Sequence, residues 1–104
     1  MTCLFWDEMN EEVRTDVFHA LSTPARRLII DELAERDGQT LFELCSRLTM
    51  KHQLSLSRQA VSQHLEVLEG AGLVRARRDG RYKFHDLDLS PLRTAVAGWL
   101  DRGS

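Results

Sequence analysis

SRQAVSQHLEVLEGAGLVRARRDGRYKF, residues 57–84, reads as a polar-faced helix, a glycine stop and a basic hairpin with an aspartate-glycine tip. Ser57 is a good N-cap, and Leu56 before it can staple onto Val61. Val61, Leu65 and Leu68 recur at i, i+4 and i+7 and make one buried stripe. Gly70 and Gly72 then offer the left-handed backbone on which helices commonly end. Arg58, Gln59, Ser62 and Gln63 lie off the stripe, on the exposed N-terminal half. Their side chains can pair with base edges, glutamine with adenine and arginine with guanine. His64 could reach a phosphate, and a packing or surface role explains it equally well. Taken alone, such a face is an ordinary solvated surface. A helix sized for the major groove with an arginine-edged hairpin behind it is instead a DNA-reading arrangement.

The hairpin's register is predicted from burial. A two-residue Asp79-Gly80 turn would put Val74 and Ala76 on one face with Lys83 and His85. A three-residue Arg78-Asp79-Gly80 loop puts Val74, Ala76, Tyr82 and Phe84 together and leaves Arg75, Arg77, Arg81 and Lys83 on the other side. Because burying one apolar face selects register strongly, the three-residue loop is expected. It sets Arg77 opposite Arg81 and Arg75 opposite Lys83, a repulsion that a polyanion across the hairpin would relieve. With Arg78 in the loop, the expected DNA-contacting set is Ser57, Arg58, Gln59, Ser62, Gln63, His64, Arg75, Arg77, Arg78, Arg81 and Lys83.

Charge is distributed to match. The 104-residue chain has a net charge of −2, too acidic for a protein that coats nucleic acid indiscriminately. Residues 1–50 carry five Arg against ten acids, whereas residues 51–85 carry seven Lys and Arg against three. The positive charge is thus concentrated on the helix and hairpin, although a pI near 6.1 departs from the usual basic footprint. Two cysteines, Cys3 and Cys45, without framework spacing fit a reducing cytoplasm. The start CLFW lacks the positive flank of a signal peptide, and no apolar run reaches membrane-spanning length.

The length suggests one domain: an arm over residues 1–9 and a folded unit over 10–102, mainly α with a β-hairpin wing (α+β), in which five helices are expected. Asn10 can cap the first, with Glu11 and Glu12 in its opening turn and Val13, Val17, Phe18 and Leu21 as its apolar side. Thr23-Pro24 opens a second that stops near Asp37-Gly38, with Leu28, Ile29, Leu33 and Ala34 inward. Thr40 and Glu43 form a capping box on a third, with Leu41, Leu44, Cys45 and Leu48 facing in. The fourth is the reading helix. Ser90-Pro91 caps a fifth, whose Leu92, Val96, Trp99 and Leu100 line one face.

From about Val13 to Leu100 this order resembles the ArsR-type (arsenic-repressor-like) family of bacterial winged helix-turn-helix regulators. The resemblance is carried by ALSTPARR at 20–27, AVSQHLEVL at 60–68, AGLV at 71–74 and RDGR at 78–81. It implies a cytoplasmic, nucleoid-associated homodimeric transcription factor on double-stranded, pseudo-palindromic DNA, usually a repressor released by a ligand or metal. It also implies a dimer interface built by the first and fifth helices, here Val13, Val17, Leu92, Val96, Trp99 and Leu100. Those stripes would equally serve a monomer core.

Two features depart from the family's pattern. A helix-turn-helix connection normally has three or four residues, but the longer stretch from Thr49 to Leu56 separates the third helix's last core leucine from Ser57. Either that helix runs a turn longer or the loop is extended. Metal-sensing relatives also carry a Cys-x-Cys pair on the helix matching residues 41–50, where this chain has Cys45 and then Arg47. Others use histidine and acidic ligands on the last helix, yet residues 86–104 hold no histidine or cysteine. Cys45 on its apolar stripe reads as a buried structural thiol, and Cys3 as a residue of the arm. No metal site and no cofactor are expected, and the inducer is left open. With no phosphate loop, nucleophile elbow or paired-carboxylate motif, no catalytic residue is assigned. The alternative is a winged-helix protein-interaction module that does not bind DNA. The outward Gln59, Ser62 and Gln63 favour the reader, since a docking surface tends to carry aromatic anchors there.

Overall fold

The computed structural model describes residues 14–103. In order these form α1 (residues 14–20), α2 (Pro24–Glu35), α3 (Leu41–His52), α4 (Arg58–Gly70), β1 (Val74–Asp79), β2 (Tyr82–Leu87) and α5 (Ser90–Gly103). The arm, Cys3, the Asn10 cap and Val13 lie outside the described residues.

Three helix starts obey local chemistry as expected; α5 departs from it, because Ser90 is its first residue and the Ser90 amide (3.0 Å) and hydroxyl (2.6 Å) both donate to the Asp88 carboxylate, so Asp88 takes the capping role expected of Ser90. The Thr23 hydroxyl accepts the Arg26 amide at 3.4 Å, with Pro24 in the first turn. Thr40 and Glu43 form the full capping box, at 3.2 Å from the Glu43 amide to the Thr40 hydroxyl and 3.1 Å from the Thr40 amide to the Glu43 carboxylate. The Ser57 hydroxyl accepts the Ala60 amide at 3.1 Å. Each such cap contributes about 1 kcal/mol.

The ends needed tertiary information. α3 continues past Leu48 to His52 and stops at Gln53, whose left-handed backbone (φ 55°) turns its amide back on the Leu48 carbonyl. The longer-helix alternative therefore holds, and residues 53–57 alone link α3 to α4. Gly70 is still helical, contrary to expectation; only Gly72 (φ 77°) adopts the left-handed conformation that ends α4.

Val17 and Ala20 of α1, Ile29 and Leu33 of α2, Leu44 and Leu48 of α3, and Val61, Leu65 and Leu68 of α4 enclose the core with Leu73, Val74 and Ala95. Ala34 is exposed, not inward as the sequence suggested. The inner side of α2 instead carries two buried charges, Arg26 and Glu32. Arg26 donates to the Ala20 carbonyl (2.7 Å) and the His19 carbonyl (3.1 Å), satisfying the open end of α1. Glu32 accepts from Arg47 (3.1 Å) and His52 (2.9 Å) and lies 3.5 Å from Lys51, which clamps α2 to the last turns of α3. Burial pushes the Glu32 carboxyl up, but the hydrogen bonds from His52 and Arg47 and the charges of Lys51 and Arg47 outweigh it and hold the group below its ordinary value.

The hairpin register differs from the expected one. Val74 faces Leu87, Ala76 faces His85 and Arg78 faces Lys83 on one side; Arg75 faces Asp86, Arg77 faces Phe84 and Asp79 faces Tyr82 on the other. The loop is thus Gly80-Arg81, with the positive φ at its first residue (63°) that a type II′ turn requires. Tyr82 and Phe84 do not join Val74 on the inner face, and Tyr82 is 63% exposed. His85 and Leu87 take that place because β2 is tethered by a remote partner. Gln39, just before α3, forms a short bridge with His85: its amide donates to the His85 carbonyl (3.2 Å), and its carbonyl accepts the His85 amide (2.9 Å). The His85 ring also hydrogen-bonds the Gln39 carbonyl through Nδ1 at 2.9 Å. The Asp37 carboxylate accepts the Leu87 amide at 2.7 Å. These contacts hold the base of the wing against the α2–α3 junction.

α5 is only half used by its own chain. Ala95 is buried and Leu92 and Val96 are half-buried, while Trp99 and Leu100 are 55% and 65% exposed. The Trp99 ring stacks on Phe18 of α1, centroids 5.5 Å apart and planes within 5°. No described helix is long and apolar enough to cross a membrane.

Candidate nucleic-acid interface

The buried stripe of α4 dictates what its other side presents. Val61, Leu65 and Leu68 are sealed in the core, so Gln59 and Gln63, four residues apart, project from the opposite side and are exposed. Arg58 is exposed in the first turn and Ser62 is half-buried one turn on. Ser57 is engaged as the cap. His64 turns away from this face: its Nδ1 lies 3.2 Å from the Arg26 guanidinium. Burial first and the Arg26 charge second lower its pKa, so the ring favours its neutral form.

The wing arginines divide into two groups, a division the expected register does not contain. Arg75 pairs with Asp88 at 2.9 Å, and Arg77 pairs with Asp86 while its guanidinium sits 5.5 Å from the Phe84 ring centroid. The bond from Arg77 and its charge pull Asp86 below the usual carboxylate range. The repulsions expected between Arg77 and Arg81 and between Arg75 and Lys83 are therefore absent: cross-strand neighbours of Arg75 and Arg77 are Asp86 and Phe84. Arg78 and Arg81, at the tip, make no ion pair among the described residues. Lys83 lies opposite Arg78 and 3.8 Å from Glu69 of α4. One like-charged pair, Arg78 and Lys83, thus does exist, on the side of the sheet that carries Val74.

Between α4 and the wing lies a cleft of about 480 Å³, lined by Phe42, Arg58, Ser62, Glu66, Arg81 and Tyr82 among others. Phe42 and Tyr82 are aromatic residues at this surface that sequence reasoning missed. The expected register turns Tyr82 inward. Phe42 does carry a local signal: it sits between the inward Leu41 and Leu44 at a spacing that turns it outward.

The expected interface residues of α1 and α5 also separate. Val17 is enclosed by its own chain and shows no surface to a second copy. Leu92 and Val96 are half-buried, and Trp99 and Leu100 extend the same stripe outward. Cys45 is half-buried on α3; desolvation raises its pKa and the Arg58 charge partly opposes this. Among the described residues no group of three or more His, Cys, Asp or Glu could hold a metal ion.

A three-helix core whose last helix turns a polar face outward, flanked by a hairpin with a cationic tip, defines a winged helix-turn-helix DNA-binding protein. Residues 21–77 match the helix-turn-helix domain family. The chain is 47% identical over 85 residues to the uncharacterized HTH-type transcriptional regulator YuzN of Bacillus subtilis (strain 168), covering 82% of this chain and 92% of that one. Among solved structures it is similar to an ArsR-like transcriptional regulator from Rhodococcus sp. RHA1, with a TM-score of 0.74, 30% identity and coverage of 89% and 81%. It is similar also to Rv0081 of Mycobacterium tuberculosis, with a TM-score of 0.62, 31% identity and coverage of 90% and 96%. The chain belongs to the ArsR-type winged helix-turn-helix family of transcriptional regulators. It is a DNA-binding regulator, and these relatives lend nothing to the alternative of an interaction module without DNA binding.

Proposed function

We propose that the chain acts as a homodimeric repressor, without enzymatic activity, on a pseudo-palindromic operator in the bacterial cytoplasm. Gln59 and Gln63, joined by Arg58 and Ser62, read base edges in the major groove, while Arg78 and Arg81 contact backbone phosphates. The observation that carries this reading is the polar outer face of α4 standing beside two tip arginines that have no ion pair among the described residues. Ser57 supports the site as a cap and His64 as a neutral packing partner of Arg26. Arg75 and Arg77, held by Asp88 and Asp86, contribute less to phosphate binding. Lys83 lies between these cases.

A second copy would cover the exposed stripe of α5, with Val96, Trp99 and Leu100 at its centre. With a two-fold axis through that contact, the two α4 helices would meet half-sites about one helical turn apart, roughly 34–36 Å, or a multiple of that. A transcriptional repressor, SdpR of Bacillus subtilis (strain 168), is 27% identical over 85 residues, which supports repression as the direction of control. Control by a dedicated metal site is not part of this reading, because among the described residues no cluster of His, Cys, Asp or Glu gathers around Cys45 to supply the converging ligands that such a site needs.

The experiment is recovery of genomic fragments bound by the purified protein, followed by mobility shifts on the recovered sites with light scattering of the free protein. A common inverted repeat shifted by a dimer is the expected result. A monomer at micromolar concentration in the presence of DNA would refute the assembly. Zinc, cadmium, copper(I) and arsenite added to the complex should leave it intact.

A further inference from the structure

Phe42 is an apolar residue that has no place in the core. It is the second residue of α3, its ring is 63% exposed, and it is not among the side chains packed against the buried cluster. The guanidinium carbon of Arg58 lies 5.6 Å from the centroid of that ring. Arg58 begins α4, where the positive end of the helix dipole disfavours a cation. Among the described residues it makes no ion pair that would fix it. A long side chain in that position would sample many rotamers, and the negative face of an aromatic ring offers its guanidinium one preferred seat.

We infer that Phe42 is a positioning residue for base reading: its ring sets the direction in which Arg58 leaves α4 and so the base pair that Arg58 meets. This rests on α4 being the groove-reading helix. A guanidinium stacked on a ring is engaged through its face, which leaves the N–H donors around its edge available for the O6 and N7 atoms of guanine. The two side chains also border the cleft whose other wall is Arg81 and Tyr82 of the wing. They line a second hollow as well, with Cys45, Ser46, Thr49 and Met50 of α3, so the ring holds Arg58 at the edge shared by α3 and the helix–wing cleft. Phe42 itself needs no contact with DNA.

The test uses the full chain on its selected operator, with base preference profiled for the wild type and for Phe42→Ala, Phe42→Trp, Arg58→Ala and the Phe42→Ala/Arg58→Ala double variant. Phe42→Ala should weaken discrimination at one base pair of each half-site by about 2- to 5-fold, the equivalent of an exposed cation–π contact. Arg58→Ala should abolish discrimination at the same pair, and the double variant should match Arg58→Ala alone. Phe42→Trp should restore the wild-type profile. The thermal midpoint and salt dependence of Phe42→Ala should stay at wild-type values, because the ring is exposed and no phosphate contact is lost. An unchanged profile in Phe42→Ala, additive effects in the double variant, or a salt slope lowered by about 1.8 in Arg58→Ala, one phosphate in each half-site, would overturn the proposal. A wild-type protein that selects no sequence would overturn both this inference and the assignment of α4.

Discussion

Replacing wing arginines in pairs should separate charges that reach DNA from charges already answered within the protein. Each phosphate neutralised contributes about 0.9 to the slope of log affinity against log salt. Arg78 and Arg81 have no ion pair among the described residues, so Arg78→Ala/Arg81→Ala, which removes two contacts from each protomer of the dimer, should lower the slope by about 3.6. Over a fourfold rise in salt, from about 50 to about 200 mM, the wild type should therefore lose roughly 150-fold more affinity than this variant. Arg75→Ala/Arg77→Ala removes guanidinium groups held at Asp88 and Asp86, and the slope should hardly change. Asp86→Asn supplies the converse: freed of its partner, Arg77 becomes available to a phosphate and the slope should rise. Fluorescence anisotropy on one operator across a salt series reads all four proteins. Equal slope losses in the two double variants would refute the division of the wing into tip and base.

Three further outcomes follow from the fold. Glu32 has a carboxyl held below its ordinary value, so the unfolded chain takes up the proton first as pH falls. The stability it contributes is complete above about pH 5 and is lost progressively below about pH 4; urea unfolding at stepped pH should show a shallower acid loss in Glu32→Gln, and Asp86 and Asp88, whose values are also lowered, add to the acid loss that remains. Gln53→Gly relieves a left-handed backbone at an exposed position and should stabilise the fold by about 0.5–1 kcal/mol, read by denaturant midpoint; a loss of stability would show that the Gln53 side chain matters. Leu100→Ala removes one exposed leucine from each copy and should weaken the dimer by about 2–4 kcal/mol, roughly 30- to 1000-fold, in sedimentation equilibrium. An unchanged dimer would move the interface off this part of α5.

What could be read from the chain was whatever neighbouring residues settle between themselves. Thr23, Thr40 with Glu43, and Ser57 cap their helices because the hydroxyl and the amide it serves are three residues apart. The stripe Val61, Leu65 and Leu68 is buried, so helical spacing alone identifies the opposite face of α4 as the outward one. The family was legible for the same reason, since its signatures are short and contiguous. Where partners are distant in the chain, local pattern was silent or misleading. The wing's register turned on Gln39 meeting His85, 46 residues away, whereas hydrophobicity alone ranks aromatic Tyr82 and Phe84 above histidine for the inner face. The inward charges of α2 were invisible because Arg26 and Glu32 are tolerable in the interior only when the end of α1 and the last turns of α3 arrive to satisfy them. Sequence alone thus determined the order of helices, the caps at Thr23, Thr40 and Ser57 and the outward chemistry of α4, all products of spacings under eight residues. Tertiary structure alone decided the wing's register, which wing arginines are neutralised and what Phe42 faces, because each depends on groups that only folding brings within a few ångströms.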